Sequence, residues 1–599
     1  APYPGQVVAI AVAKTYLQAK AAAAAVKVDV AAPEKPPPVS IEQAIAAGSY
    51  YEMTRHFVAS AGWEGDAFLD EPADGVVVVE GEVRVGAQEH FYLECNTTLV
   101  DPTDDGGLKV LTSTQAVAKT QACVARVCGL PMHRVVATCK RMGGGFGGKE
   151  TRSVFASCAC ALAAKLLQKP VRLSLERDAD MRTTGMRHAF LGRYRAAVDA
   201  KTLKFVGLDV QLYSNGGASL DLSGPVLDRA LLHVDNVYDW TRLRARGVVC
   251  KTALPPSTAF RGFGGPQGMV VTEHVVEHLA HALGHGDHGD ALRAANMYGE
   301  DDVTHYAQPI ASCAWRVPRC VARVKETSGY DDRVASVAAF NDAHAHRKRG
   351  LALVPTKFGI NFTAKLLNQG GSLVHLYTDG TLLVSHGGTE MGQGLHTKVC
   401  QVVAQAFGVT IDRVHVEDTA SDKVANSAAT AASMSTDLYG MAALDACHQI
   451  LARLAPVYDR RRAAGDSLEL AAVAGDAFFN RIDLSAHGFY AVDGARAISL
   501  TDARATLPFP SSLVSRAHRD PRSSGASHRR PSRQRESRWT PPARSRVPRA
   551  HRRHPARAGI APTPRRAARA PICTVAPGSC CATTSMPRAP RARTSSRSL

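Results

Sequence analysis

Apolar runs bounded by glycine and polar residues predict β-strands at several points along the chain. Such runs lie over 75–85, 135–140, 171–175 and 205–210. The run over 373–384 is divided by Asp379 and Gly380, which predicts a hairpin with a two-residue turn. Strand signals are therefore present in both halves of the chain.

Apolar residues spaced three or four positions apart predict helices between these strands. Ser40, followed three residues later by Gln43, forms a capping-box pattern that predicts the start of a short helix. A longer helix is predicted over 114–128, ended by Gly129, and an alanine-rich helix over 153–167. The fold class predicted by these patterns is α+β.

A polar stretch over 341–349 interrupts the pattern near the middle of the chain. The apolar residues over 351–355 then predict a strand and the start of a second domain. The second strand of the predicted hairpin leads directly into a glycine-rich segment that begins at Gly387.

The formal net charge of +18 is unevenly distributed over the 599 residues. Residues 511–599 contain 21 arginines, no lysine and two acids, Asp520 and Glu536, for a net charge of +19. The other 510 residues contain 51 basic and 52 acidic side chains. The Arg-, Pro-, Ser- and Ala-rich segment has too few aliphatic residues to bury a core, so a disordered tail is predicted. Nucleic-acid binding through this tail is an alternative function, although the tail lacks lysine, interleaved aromatic residues and any known motif.

The composition before the tail is that of a globular protein. With 45% hydrophobic residues the chain can fill sizeable cores, and no run approaches the roughly 18 apolar residues of a membrane span. The 14 cysteines show no metal-finger spacing, and we expect buried thiols of a cytoplasmic, or alternatively peroxisomal, protein. The start at Ala1 has neither a basic leader nor an initiating methionine, as expected of an internal fragment.

A dense glycine segment over 141–150, RMGGGFGGKE, predicts a ligand-binding loop. Glycines at this density allow backbone N–H groups to approach an anionic ligand. The segment nearly matches a dinucleotide fingerprint and a phosphate loop. The phosphate loop requires Ser or Thr where Glu150 stands, and the dinucleotide pattern alone is weak, so neither nucleotide interpretation is preferred.

Two further glycine loops repeat this chemistry. Residues 260–268, FRGFGGPQG, repeat the Gly-Phe-Gly-Gly core after an arginine, and residues 387–394 read GGTEMGQG. Together with QEHFYLE over 88–94 and TAAS over 430–433, these segments resemble the molybdenum-binding part of the xanthine dehydrogenase and aldehyde oxidase family. The resemblance runs from near residue 1 to about residue 505.

The resemblance implies an architecture and a cofactor, molybdenum bound to molybdopterin. It implies a first cofactor-binding domain over 1–345, which includes the end of a small preceding domain over 1–50, and an incomplete second one over 346–505. The disordered tail would follow over 506–599. The protein supplies no metal ligand in this family, which fits loops rich in backbone N–H donors and neutral amides.

Site residues follow from the same resemblance. Those expected near the molybdenum, through its cofactor, are Gln88, Phe146, Arg261 and Ala432. Those expected to hold the rest of the cofactor are Gly145, Gly147, Met391, Gln393, Ser433 and Ser435.

The substrate implied by the resemblance is a purine, hypoxanthine or xanthine, hydroxylated to urate with oxygen from water. Glu150 and Arg229 match positions that hydrogen-bond the purine in the xanthine dehydrogenase branch, and an arginine could stabilise negative charge that develops on the ring. Phe263 and Phe362 match two rings that enclose the base, and Thr363 matches a further contact. An aldehyde oxidase-type enzyme is the alternative, although that branch usually lacks this acid and this arginine.

A histidine pattern on the helix predicted over 269–283 imitates a zinc site. His274 and His278 have the spacing of an inverted zinc-protease motif, and His281 extends the same face. No third ligand is convincingly placed, and polar residues four positions apart are ordinary on a partly exposed helix. We therefore interpret this pattern as a helix surface.

Two departures from the family bear on activity. The family carries its catalytic glutamate in a Gly-Glu-Pro segment near the end of the molybdenum region, and this chain contains no such segment, so no catalytic residue is identified. The iron–sulfur (2Fe–2S) and flavin (FAD) portions that precede this region in the family are also missing. We expect them in other portions or partner subunits, and the intact form to be a homodimer.

The chain as written is predicted to be catalytically inactive. General-base catalysis requires a carboxylate within about 3 Å of the proton that it removes and typically contributes 10²–10⁴-fold. The segment expected to supply that carboxylate is absent. Urate production by this polypeptide, loaded with cofactor and supplied with an artificial electron acceptor, is the measurement, and measurable production would contradict the prediction.

The basic tail is predicted to arise from a shifted reading frame. Codons for Arg, Pro, Ser and Ala are rich in G and C, and lysine codons are rare in such a frame. Translating the other two frames downstream of codon 505 should yield one that reads as periodic strands and helices and contains Gly-Glu-Pro. If neither frame does so, the tail is a genuine disordered segment.

Overall fold

The computed structural model describes residues 3–31, 33–284, 289–310, 315–492 and the strand Ile572–Pro577. The strands are β1 (Val7–Ala13), β2 (His56–Ala59), β3 (Val76–Val85), β4 (Thr97–Pro102), β5 (Leu108–Thr112), β6 (Val135–Cys139), β7 (Val171–Ser174), β8 (Phe190–Asp199), β9 (Phe205–Gly217), β10 (Leu243–Lys251), β11 (Gln369–Leu376), β12 (Leu382–His386), β13 (Val414–Val416), β14 (Thr419–Ala420), β15 (Ser485–Ala491) and β16 (Ile572–Pro577). The helices are α1 (Tyr16–Ala24), α2 (Ile41–Ala46), α3 (Ala67–Asp70), α4 (Val117–Cys128), α5 (Val154–Leu167), α6 (Arg177–Thr183), α7 (Ser223–Leu231), α8 (Gly265–Ala282), α9 (Asp290–Asn296), α10 (Val317–Ser328), α11 (Tyr330–Ala343), α12 (Leu395–Phe407), α13 (Ser435–Ala464) and α14 (Leu470–Phe479).

Three mixed sheets and the helices packed on them form the fold, which confirms the predicted α+β class. The largest sheet has the order β1-β16-β7-β4-β5-β6-β14. Its core is made with α4 and α5, from residues such as Val110, Val124 and Cys160, none of which is more than 1% exposed. Strand β6 leads into the first glycine loop, and β14 comes from the second half of the chain to pair with β6.

A five-stranded sheet, β2-β10-β9-β8-β3, supports the second glycine loop. Its long strands β8 and β9 are antiparallel, and β9 and β10 are parallel. Helices α7 and α8 pack on it through fully buried aliphatic residues such as Leu227, Val275 and Leu279. The second glycine loop lies immediately before α8, where Gly264 has a φ of 95° and caps the helix.

The third sheet, β13-β12-β11-β15, carries the third glycine loop. Helices α12 and α13 cover it and bury Val399, Ile450 and Leu454 together with strand residues such as Val384. The loop connects the end of β12 to the start of α12. All three sheets therefore end in, or lie next to, one of the glycine loops. None of the described helices is long and apolar enough to cross a membrane.

Several local predictions are confirmed by the structure. Ser40 caps α2 by accepting a hydrogen bond from the Gln43 backbone N–H at 3.2 Å, and the Gln43 side chain accepts from the Val39 N–H at 2.8 Å. Gly129 ends α4 with a φ of 61°. The strand predicted over 75–85 is β3.

Two predictions in the second half are wrong. No strand forms over 351–355, because the backbone there has no strand neighbour and Pro355 is instead bound by a side chain, that of Asn236. The hairpin β11–β12 has a three-residue loop over 378–380 rather than a two-residue turn. The Asp379 carboxylate accepts the Thr381 N–H at 3.0 Å, and Gly380 takes a φ of 78°, which together close the longer loop.

The predicted tail lies almost entirely outside the described residues. Within it, the structure describes β16, which pairs antiparallel with β1 and parallel with β7. The expected frame shift and the two tail acids, Asp520 and Glu536, concern residues that the structure does not describe.

Candidate functional site

A cavity of about 1000 Å³ lies where the glycine loops meet. We call the loops loop 1 (141–150), loop 2 (260–268), loop 3 (387–394) and loop 4 (430–435), in chain order. The volume is at the upper end of the range for small-molecule sites. The predicted site residues that line the cavity are Phe146, Gly147, Glu150, Arg229, Arg261, Phe263, Phe362, Thr363, Met391, Gln393, Ala432, Ser433 and Ser435.

Gln88 and Gly145 are not part of the cavity lining. Gln88 is exposed, and its amide oxygen accepts from Arg187 Nε at 2.6 Å, while Arg187 Nη2 donates to the Arg261 carbonyl at 2.8 Å. Gly145 lies where the loops pack against each other, since a Cβ there would be 2.7 Å from Gln115 Oε1 and 2.9 Å from Met391 Sδ. Gln88 is thus connected to loop 2 through Arg187. The absence of a side chain at Gly145 lets loop 1 approach Gln115 and Met391 closely.

The side chain of Gln115 connects loop 1 with loop 4. Its Oε1 accepts the Gly147 N–H at 2.9 Å and the Lys149 N–H at 3.3 Å, and its Nε2 donates to the Thr430 carbonyl at 3.0 Å. Its backbone also bonds both loops. Gln115 is 3% exposed. No sequence pattern pointed to this residue, because it lies just before α4 and outside every glycine segment.

Loop 1 is also fixed by an acid and a buried lysine. Glu94 Oε2 accepts the Gly143 N–H at 2.6 Å and lies 3.5 Å from Lys149 Nζ. Lys149 is fully buried, with Nζ 4.6 Å from the centre of the Tyr92 ring. The lysine is therefore buried in the protein and is not part of the cavity lining, unlike the lysine of a phosphate loop, which reaches the phosphates.

Loop 3 is closed around the carboxylate of Glu390. One oxygen accepts the N–H groups of Gly392 and Gly394 at 2.9 and 3.0 Å, and the other accepts that of His396 at 3.0 Å. These hydrogen bonds outweigh burial and lower the pKa of Glu390. Gln393 braces the same loop through the Met391 N–H and the Thr389 carbonyl. A carboxylate among these glycines thus fixes the loop.

Four non-glycine residues of the loops take left-handed backbone conformations. The φ angles are 54° at Phe146, 51° at Phe263, 56° at Ala432 and 58° at Ser433. Such conformations are uncommon outside glycine and concentrate at functional sites. Each of these residues lines the cavity.

Aromatic side chains make up much of the cavity lining. Phe263, Phe358 and Phe362 line the same cavity as Glu150 and Arg229. Phe358 was not among the predicted residues, although the sequence KFGINFT over 357–363 places it four positions before Phe362, and Lys398 is a further lining residue that was missed.

Glu150 and Arg229 both line the cavity, and burial shifts the pKa of each. Burial, and next the charge of Asp221, raise the pKa of Glu150 to about 7. Burial lowers the pKa of Arg229 to about 10, which leaves it protonated at neutral pH. Arg229 Nη1 donates to the Gly359 carbonyl at 2.5 Å, and Nη2 donates to the Asn361 carbonyl.

The histidines that imitate a zinc motif have other contacts. His278 Nδ1 lies 2.8 Å from the Tyr194 hydroxyl, and the His274 ring contacts the same tyrosine edge-on. Among the described residues, no group of three or more His, Cys, Asp or Glu side chains could hold a metal ion.

The cavity fits a cofactor that brings its own metal ligands. Backbone groups of four loops and the side chains of Gln393, Ser433 and Ser435 surround it, and Gly392 exposes an open backbone face, with no atom within 4 Å of where its Cβ would stand. Oriented backbone N–H groups and neutral amides are suited to a phosphorylated, planar organic group. The site is thus of the kind that binds an organic cofactor that carries its own metal.

Comparisons with known proteins agree with this class. Two family models described as "Molybdopterin cofactor-binding domain" match residues 52–297 and 323–513. Similar folds occur in the aldehyde oxidoreductases of Desulfovibrio desulfuricans (TM-score 0.66, 20% identity, 78% of this chain and 50% of that one) and Desulfovibrio gigas (TM-score 0.64, 21% identity, 80% and 51%).

Curated relatives are closer in sequence. The chain is 47% identical over 487 residues to "Xanthine dehydrogenase" of Oryza sativa subsp. japonica and 44% identical over 494 residues to that of Dictyostelium discoideum. These alignments cover 81% and 82% of the chain and 35% of each relative, so the chain spans about a third of their length. Because the two family models together match most of the chain, the chain belongs to the molybdopterin cofactor-binding family, and its sequence is similar to about a third of each of these xanthine dehydrogenases.

The raised pKa of Glu150 predicts a pH-dependent gain in stability for Glu150→Gln. The folded protein retains this proton up to about pH 7, whereas an unfolded glutamate loses it near 4.5, so the wild type loses stability as pH rises through this window. The free energy of unfolding of the variant minus that of the wild type should therefore be larger at pH 8 than at pH 5, by on the order of 1–3 kcal/mol. Urea unfolding at both pH values measures this difference, and an equal difference at both would contradict the assignment.

Proposed function

We propose that this chain is the molybdopterin-binding part of an enzyme that hydroxylates purines, converting hypoxanthine or xanthine to urate with oxygen from water. The observation that carries the proposal is that Glu150 and Arg229 face one cavity, between aromatic rings and beside the glycine loops. The names of the curated relatives support the same substrate class.

Loops 1 to 4 would hold the molybdopterin through backbone groups and the side chains of Gln393, Ser433 and Ser435. When bound, the cofactor supplies the metal and the redox chemistry of the hydroxylation. The chain itself binds and orients the substrate and excludes water from its faces. Phe263 and Phe362 would contact the two faces of a planar ring, and Thr363 would contact its edge.

The polar groups of the cavity suit a purine edge. A carboxyl group with a pKa near 7 can donate a hydrogen bond when protonated and accept one when ionised. Arg229 remains positive and would stabilise negative charge that develops on the ring, in a site whose low polarity strengthens the interaction. An aldehyde needs neither group, so an aldehyde oxidase-type activity fits this cavity less well.

The relatives are about three times as long as the alignment, which leaves room for additional portions. We propose that iron–sulfur and flavin domains or subunits accept the electrons, and that the intact enzyme is a homodimer. The domain boundary that we propose near residue 345 falls within the second matched segment, 323–513, and follows α11. Nucleic-acid binding through the tail has no support from the described residues.

Replacing Arg229 by Met should weaken purine binding selectively. A hydrogen bond to a charged group contributes about 1.5–3 kcal/mol, so the affinity of the cofactor-loaded chain for xanthine should fall about 10- to 100-fold. Calorimetric titration with xanthine and with benzaldehyde measures both substrate classes. The matched control is Arg413→Met, an exposed arginine near β13.

An equal loss of affinity for both ligands would contradict the purine assignment, because it would indicate a general change in the cavity. In the intact enzyme the same variant should depress purine turnover and spare aldehyde turnover.

A further inference from the structure

Two rings of the cavity lining, Phe358 and Phe362, belong to a segment, 355–363, that is not part of any sheet. We call it the wall segment. It carries Phe358, Phe362 and Thr363, which line the cavity. An unpaired extended backbone leaves N–H and C=O groups that must find other partners when buried. Their partners therefore determine where the two rings stand.

Side chains of residues 229–236 supply these partners at alternate residues of the wall segment. Asn236 Nδ2 donates to the Pro355 carbonyl at 3.0 Å, and Asn236 Oδ1 accepts the Lys357 N–H at 3.4 Å. The Lys357 side chain is held as well, since its Nζ donates to Asp235 Oδ2 at 2.7 Å within a buried ion pair. Arg229 binds the carbonyls of Gly359 and Asn361. The intervening positions are free to present rings to the cavity, in keeping with the two-residue period of an extended chain.

His233 occupies the centre of this arrangement and uses both ring nitrogens. Nδ1 lies 2.8 Å from the Arg229 carbonyl, and the Gly359 N–H donates to Nε2 at 3.1 Å. A carbonyl can only accept and an N–H can only donate, so Nδ1 carries the proton and Nε2 does not. Burial, and next the charges of Arg229 and Lys357, lower its pKa to about 3, so the ring is neutral at physiological pH. His233 is 2% exposed.

The same ring contacts the wall segment directly. The centres of the His233 and Phe358 rings are 5.1 Å apart, and the Arg229 guanidinium carbon is 5.3 Å from the Phe358 centre. On the other side, a Cβ on Gly265 would lie 2.8 Å from the Phe358 ring, so Phe358 has little freedom to move toward α8. The backbone of Phe362 is held separately by the amide of Asn368, which bonds its N–H and its carbonyl, both at 3.0 Å.

We propose that His233 is a positioning residue for the purine: by joining the Arg229 carbonyl to the Gly359 N–H, it fixes the wall segment, and with it Phe358, relative to the Arg229 guanidinium. The inference rests on the proposed function for the identity of the ligand. The positioning itself concerns only residues of this chain. His233 touches neither substrate nor cofactor in this role.

The first test is hydrogen exchange of the wall segment in the full-length chain. His233→Ala removes the acceptor of the Gly359 N–H, so a peptide covering 355–363 should exchange about tenfold faster, while peptides from β9 and α13 should not change. His233→Gln, whose amide offers one donor and one acceptor, should restore exchange to within about twofold of wild type. His415→Ala, which removes an exposed histidine from β13, is the matched control and should have no effect.

The second test is the affinity for hypoxanthine, measured by calorimetry on the cofactor-loaded chain. We expect about tenfold weaker binding in His233→Ala, equivalent to ~1.4 kcal/mol, with recovery in His233→Gln. A purely structural role would not produce recovery of affinity and of local exchange together. If His233→Ala does not fold, His233→Asn replaces it, because its shorter amide cannot reach both partners.

Unchanged exchange over 355–363 in the Ala or Asn variant would overturn the proposal. A uniform increase over the whole chain that His233→Gln does not reverse would also overturn it, since that result indicates a general core role. Faster local exchange with unchanged hypoxanthine affinity would overturn the link to the substrate. If the unaltered chain fails to bind hypoxanthine, the proposed function fails, and the exchange comparison still decides the positioning role.

Discussion

The bonds of the Gln115 amide are the constraint on which the site depends. One oxygen accepts two N–H groups of loop 1, and the nitrogen of the same amide donates to the carbonyl of Thr430 in loop 4. Loop 1 follows the strand β6 and loop 4 precedes α13, so the two loops come from segments nearly 300 residues apart. A glycine-rich backbone has little intrinsic preference for one conformation, and a buried amide that satisfies both loops supplies that preference.

Charged side chains at the site mostly hold backbone rather than ligand. Glu94 and Glu390 accept N–H groups of loops 1 and 3, and Lys149 is buried against Glu94 and Tyr92. These groups satisfy N–H groups of the glycine loops and fix the loop backbone around the cavity. Removing one partner of such a buried set would leave another polar group unsatisfied, a cost of about 1–3 kcal/mol. The stability of the loops and the shape of the cavity are therefore set by the same side chains.

Sequence reasoning located the loops because their signal is local. Glycine density, the order of strand and helix patterns, and the resemblance that they support picked out these loops, and the structure places Phe146, Arg261 and Ala432 in the lining of one cavity. Two residues that bond distant segments were missed, Gln115 between loops 1 and 4 and His233 at the wall segment, because they act across long sequence distances and have no periodic or compositional signature. The strand predicted over 351–355 failed for the same reason. An apolar run indicates an extended backbone, but only the tertiary structure decides whether its partners are a neighbouring strand or, as at Pro355, a side chain.

The ionisation states of Glu150 and Arg229 in the cavity follow from how the two side chains are buried and bonded. Arg229 spends two donor groups on the carbonyls of Gly359 and Asn361, and carbonyl dipoles stabilise the guanidinium without neutralising its charge. Glu150 lies near Asp221, which is held by the hydroxyls of Thr151 and Thr258, and the nearby negative charge adds to burial in favouring a protonated Glu150. The Arg229 guanidinium therefore keeps its positive charge near neutral pH, while burial favours the protonated form of Glu150. In the purine reaction proposed above, the Arg229 charge would stabilise negative charge that develops on the ring, because it is in place before the reaction begins and requires no reorganisation.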